Sequence, residues 1–224
     1  MTVLLVLFTF AAFLLIDHLR TRRALQPALQ VAPAKHDAVP RLQAALVGGF
    51  EVPENLRYHP GHTWAISESP NLVRVGMDDF ASKLTGTVER ITLPQRGQWI
   101  RQGQKLCTLH RDGTTVDMVS PVEGTVTDIN QALIEDPKLA LRDPYGEGWL
   151  LAVNAPDPKT SFRNLLGGAL ARWWTEEAAS RLQRRMPLAF AGALAQDGGV
   201  AINDLSAQIP DQEWLSLAKE FFLS

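Results

Sequence analysis

The densest group of residues able to do chemistry is His110-Arg111-Asp112-Gly113, with Asp117 four positions further on. An imidazole beside a carboxylate can work as a general base held in one tautomer, provided a nucleophile stands within reach. No Ser, Cys or second His occupies an evident nucleophile position. The group therefore reads as a polar hairpin, and no catalytic residue is assigned. Cys107 is the one cysteine of the chain, which excludes an intramolecular disulfide and a Cys-cluster zinc site. It falls in an apolar run, so a buried, inert thiol is expected. His62 and Trp64 read as packing residues. No metal-ligand set is assigned, and no glycine loop of the phosphate-binding kind is present.

The elements that must position this hairpin are strands. Residues 106–110 and 114–119 flank the Asp112-Gly113 pair, and Asp-Gly between alternating apolar runs predicts a two-residue type I′ turn, where both positions need φ > 0. Short strands punctuated by Gly and Pro run from Tyr58 to Val153, including residues 63–66 and 72–77. Asp78 and Asp79 predict the cap of a short helix reaching Leu84. Gly86-Thr87-Val88-Glu89-Arg90-Ile91 and Gly124-Thr125-Val126-Thr127-Asp128-Ile129 share the pattern GTVxxI and suggest two similar halves. Composition agrees with a globular domain, 46 % hydrophobic and 21 % charged. A net charge of -2 excludes a nucleic-acid protein held by counterion release.

Five stretches then fall in one register: Tyr58-x-x-x-His62-x-Trp64, the LPxxGxxIxxGxxL run from Leu93 to Leu106, Ser120-Pro121-Val122-Glu123-Gly124, Asn130-Gln131-Ala132-Leu133, and Asp143-Pro144-Tyr145-Gly146-Glu147-Gly148-Trp149-Leu150. Together they resemble the glycine cleavage system H protein family. The resemblance implies a mainly β fold, a barrel-sandwich hybrid of the lipoyl and biotinyl carrier type, over residues 57–155. It also implies lipoate on a hairpin lysine, whose arm shuttles an aminomethyl group between enzymes. Counting back from Ser120-Pro121-Val122, that lysine position falls on Gly113, which has no side chain to acylate. No lysine lies between Lys105 and Lys138, and Lys105 belongs at the start of the preceding strand, away from the apex. Asp117 matches an acidic residue common in the family hairpin. Biotin carriage fails on the same ground.

The termini add material of a different kind. Residues 1–16 contain no charge, Gly or Pro and would cover about 24 Å as a helix. Extension through His18 and Leu19, with Arg20, Arg22 and Arg23 snorkelling, brings residues 1–19 to the length of a transmembrane anchor. The basic cluster after the apolar run places the C-terminal side in the cytoplasm, a single-pass arrangement in the cytoplasmic membrane. Residues 20–56, with Pro27, Pro33 and Pro40, read as a linker carrying one short amphipathic piece at 41–47. Residues 156–186 read as an amphipathic helix through Phe162, Leu165, Leu166, Ala169, Leu170, Trp173 and Trp174, weakened at Gly167-Gly168 and halted by Pro187. In residues 187–224 a short apolar segment at 188–195, a turn at Asp197-Gly198-Gly199 and a last helix are expected. Asp211 would cap that helix, with Trp214, Leu217, Ala218, Phe221 and Phe222 on one face. The barrel, the preceding helix, a partner protein or the membrane surface could cover this stripe, with Trp173, Trp174, Arg181, Arg184 and Arg185 as contacts for the latter two.

Three functions compete. The first is a membrane-anchored, non-lipoylated binding or scaffolding module, not an enzyme, with no cofactor expected. Its unknown protein partner would be met through His110, Arg111, Asp112 and Gly113 or through the C-terminal helices. The second is a lipoyl carrier of the glycine cleavage system, which requires lipoate. The third is an adaptor subunit of a membrane transport system. Such adaptors usually split their lipoyl halves with a long helical hairpin, whereas here the halves are contiguous. The glycine at the attachment position favours the first.

Overall fold

The computed structural model describes residues 44–186, 201 and 204–223, all within one compact unit, Ala38–Ser224. The expected anchor at 1–19, the tether up to residue 43, the apolar segment at 188–195 and the turn at Asp197-Gly198-Gly199 lie outside the described residues. Among the described residues, no helix is long and apolar enough to cross a membrane.

Alternation and tight turns give a mainly β domain. Strands β1 (Ala44–Val47) and β2 (Phe50–Pro53) form a hairpin. Strands β3 (Arg57–His59), β4 (Thr63–Ser67), β5 (Leu72–Met77), β7 (Trp99–Ile100), β10 (Gly124–Ile129) and β11 (Leu151–Asn154) build one sheet in the order β3-β4-β5-β11-β10-β7. Every neighbouring pair in it is antiparallel. Strands β6 (Arg90–Thr92), β8 (Lys105–Arg111) and β9 (Thr114–Val119) form a second, in the order β6-β8-β9. Val73, Val75, Ile91, Leu109, Val116, Met118, Val126 and Val153 belong to a single buried cluster. The GTVxxI copies mark core positions rather than identical strands. The second copy is β10, while the first leads out of helix α1 (Asp79–Thr85) into β6, and Val88, Ile91 and Val126 are all buried. Asp78 caps α1 as expected, its carboxylate accepting from the Ala81 amide at 2.8 Å.

Three expectations are corrected. First, residues 44–56 are not linker, and 44–47 is a strand. Gly48 and Gly49, at φ 57° and 90°, close the β1–β2 hairpin, a turn whose left-handed backbone suits glycine. The hairpin is held because Phe50 is fully buried against Phe80, ring centroids 4.8 Å apart. Second, residues 156–186 are not one helix. They form α4 (Pro158–Arg163), after α2 (Gln131–Glu135) and α3 (Leu139–Arg142), and then α5 (Gly168–Arg185). Between α4 and α5, Leu166 exchanges two backbone hydrogen bonds with Tyr58, at 2.9 and 2.8 Å. A residue bridged to a strand cannot also continue a helical ladder. Third, the last helix, α6 (Asp211–Phe222), has Pro210 at its cap position, so Asp211 begins the helix instead of capping it.

The destination of the α6 stripe is plain. Trp214, Leu217, Ala218, Phe221 and Phe222 are all buried. Phe221 meets Phe80 with centroids 4.9 Å apart, and the Trp214 indole N–H donates to the Leu84 carbonyl at 2.8 Å. α6 thus lies on α1 and on β9 and offers no free apolar face.

Candidate functional site

The β8–β9 hairpin is where the sequence pointed. Arg111 pairs with Thr114 across a two-residue loop, and Asp112 and Gly113 adopt φ 46° and 72°, both left-handed as a type I′ turn needs. A Cβ built on Gly113 would meet nothing within 4 Å. The apex is therefore open, and its residue type follows from backbone conformation alone.

Successive strand residues point to opposite faces, and this separates the residues of the expected cluster. His110 turns to the outer face, where its ring nitrogens meet Thr92 Oγ1 at 2.8 Å and Arg90 at 3.3 Å. Asp112 turns to the Arg111 guanidinium, 3.1 Å away. His110 and Asp112 thus have different partners and form no base-and-orienter pair. Arg111 turns inward and is buried. It donates to the carbonyls of Thr85 and Ser206, at 3.4 and 3.3 Å, and lies over the Trp214 ring 4.7 Å from its centroid. Arg111 is therefore unavailable to a partner, a correction to the four-residue interaction surface. Asp112 and Gly113 are exposed at the tip.

Lower on the outer face, Asp117 accepts from Thr108 Oγ1 at 2.7 Å and pairs with Lys105 at 2.8 Å. Partial burial pushes the Asp117 carboxyl up, but the bonds from Lys105 and Thr108 outweigh it and leave the group below its usual range. Cys107, on the core face, is buried as expected, and burial pushes its thiol up to about 12. Lys105 opens β8, so six strand residues, about 20 Å, separate it from the apex. With no amine at the tip and Lys105 at the far end of β8, the residues present do not fit a lysine-linked lipoyl group at the apex.

His62 and Trp64 are buried, as expected of packing residues. The His62 ring stacks on Phe80, centroids 4.1 Å apart, and its Nδ1 lies 2.8 Å from Asp78. Trp64 donates to the carbonyls of Met77 and Pro144, at 2.9 and 3.1 Å. The sequence reading missed a second polar network beside them. Asp79 pairs with Lys83 at 2.7 Å, and its carboxylate also accepts from the Glu51 amide at 2.8 Å. Lys83 reaches the Gly49 carbonyl, and Tyr145 donates to the Glu51 carbonyl at 2.6 Å. Burial pushes the Asp79 carboxyl and the Tyr145 phenol up. The available signal was the i,i+4 spacing of Asp79 and Lys83 on a capped helix. The network fastens the β1–β2 hairpin to α1.

Comparison with known proteins gives this arrangement a lineage. The family model described as "Glycine cleavage H-protein" matches residues 56–175. The glycine cleavage system H protein of Microcystis aeruginosa is 35% identical over 120 residues, 54% of this chain and 91% of that protein. That of Anaeromyxobacter sp. (strain K) is 32% identical over 128 residues, 57% of this chain and 98% of that protein. A probable glycine cleavage system H protein of Aeropyrum pernix is 33% identical over 117 residues, 52% of this chain and 80% of that protein. Among solved structures, a glycine cleavage system H protein from Mycobacterium marinum is similar with a TM-score of 0.44 and 27% identity, covering 47% of this chain and 87% of that one. Over the stretch that holds both sheets, this chain belongs to the glycine cleavage H-protein family.

Proposed function

We propose that the chain is a non-lipoylated member of its family, tethered to the cytoplasmic membrane through residues 1–19 and acting as a binding or scaffolding module. The observation that carries this reading is Gly113 at the apex of the β8–β9 hairpin, at φ 72° with open space around it. Acylation needs a primary amine on a reachable side chain, and the apex presents none. Conservation of fold does not transmit an activity whose attachment atom is gone. The Asp-Gly turn closes the hairpin without help from a prosthetic arm, and Arg111 braces it from inside through Thr85, Ser206 and Trp214. What remains for a partner is the exposed tip at Asp112 and Gly113 with the outer face of β8 and β9.

The test is the intact mass of the chain purified from the membrane fraction of its native cells. Unmodified protein recovered with the membranes is the expected result. A mass increment equal to one lipoyl group would overturn the reading in favour of a working carrier. Recovery of the chain from the soluble fraction alone would remove the anchor.

A further inference from the structure

Gly167 at the cap of α5, Leu170, Trp173 and Glu176 are spaced three apart and form one oblique ridge across the helix surface. Leu170 and Trp173, its two middle members, are 53 % and 64 % exposed. The ends of the ridge carry opposite charge. Arg57 lies against Gly167, filling the space that a Cβ there would need, and is itself exposed. Gly167 caps α5 without a side-chain hydrogen bond, so the positive end of the helix dipole adds to that cation. Glu176 is exposed at the other end. Neighbouring charges are already matched within the chain, Glu54 with Arg172 and Glu177 with Arg184. Arg57 and Glu176 have no ion-pair partner among the described residues.

We propose that this ridge is the contact between two copies of the chain, paired about a two-fold axis that passes midway between Leu170 and Trp173. Such an interface is isologous, so every contact across it occurs twice. Half a turn about that midpoint lays Trp173 of each copy on Leu170 of the other. The same turn brings each Glu176 to Arg57 of the other copy, because both ends of the ridge stand three residues beyond the apolar pair. A partner or surface of one charge sign satisfies one end of the ridge and opposes the other, whereas a second copy satisfies both. The central indole and leucine supply the affinity, and the exposed ion pairs fix the register. A face smaller than the ~800 Å² per partner of a standard interface gives a reversible dimer of micromolar affinity. The pairing uses no residue of the β8–β9 hairpin and depends on neither the anchor nor the missing lipoate proposed above.

The test is sedimentation equilibrium of the full chain in a non-ionic detergent, from about 5 to 300 µM, where a dimer of this size dissociates. The expected result is a reversible monomer–dimer equilibrium. Trp173→Gln should weaken it at least about tenfold. Arg57→Glu and Glu176→Arg should each weaken it about fivefold by setting like charges together, and the double variant, with both charges exchanged, should recover wild-type affinity within about twofold. All three positions are exposed, and urea midpoints taken at the lowest concentration confirm that each variant is folded. A chain that stays monomeric to 300 µM would overturn the proposal. Association that Trp173→Gln leaves unchanged would assign the dimer to another part of the chain, and a double variant no tighter than the single ones would refute the two-fold pairing of Arg57 with Glu176.

Discussion

Placing an amine at the hairpin apex separates turn chemistry from carrier chemistry. In Gly113→Lys the new side chain meets no atom within 4 Å of its Cβ, so no packing penalty arises. The backbone at φ 72° remains left-handed, which disfavours an L side chain by about 1–2 kcal/mol. For a domain of this size that corresponds to a fall in Tm of roughly 2–8 °C, measurable by thermal or urea unfolding. The folded variant is then incubated with a lipoate–protein ligase, ATP and lipoate, beside the wild-type chain, and intact masses are recorded. Gain of one lipoyl group by Gly113→Lys and none by wild type is the expected outcome. Loss of more than about 4 kcal/mol would mean that the apex is not the open turn described. An unmodified variant would show that Gly113 is not the attachment position, and a modified wild type would refute the reasoning outright.

Three further outcomes follow from the same geometry. Trp214→Ala removes a buried indole, its bond to Leu84 and the surface under Arg111; urea unfolding should register about 3–5 kcal/mol, and a loss below 1 would mean that α6 is not part of the core. With its thiol pushed up to about 12, Cys107 is ~0.01 % thiolate at pH 8, so a thiol-reactive disulfide reagent should leave the native chain untouched and label it on unfolding. Asp117→Asn should cost under about 1 kcal/mol at pH 7, since the pair with Lys105 is largely exposed. Because Asp117 titrates below its usual 3.8 in the folded chain, its contribution is present above that value and is lost as pH falls through the folded value. The wild-type and Asp117→Asn urea midpoints should accordingly converge as the pH is taken down from 3.8 through the folded value.

The features legible from sequence were those decided by a few neighbouring residues. Asp112-Gly113 specifies its own turn, Asp78 caps the helix three residues ahead, and an apolar run buries Cys107. What escaped was set by distant partners. The helical periodicity through Leu165 and Leu166 is real, but Tyr58, far back in the chain, claims the Leu166 backbone. Residues 44–56 look like linker until Phe80 is brought against Phe50. Arg111 reads as a solvated tip residue because its ligands, the Thr85 and Ser206 carbonyls and Trp214, lie outside the hairpin. Within the candidate site, the turn at Asp112-Gly113 could be placed from its two residues, whereas the parting of His110 from Asp112 required knowing what each strand face meets.

The fastening of β1 and β2 onto α1 bears on where the polypeptide can be cut. Scissors applied at the borders of the recognisable stretch, residues 56 and 175, would discard Phe50, the Gly49 carbonyl and the Glu51 amide in one stroke. Asp79 and Lys83 would then face each other inside a breached wall, short of two of the groups that accompany them. A piece that keeps these partners together is thus larger than the matched stretch: it holds β2 on one side and the Phe221 and Trp214 contacts on the other.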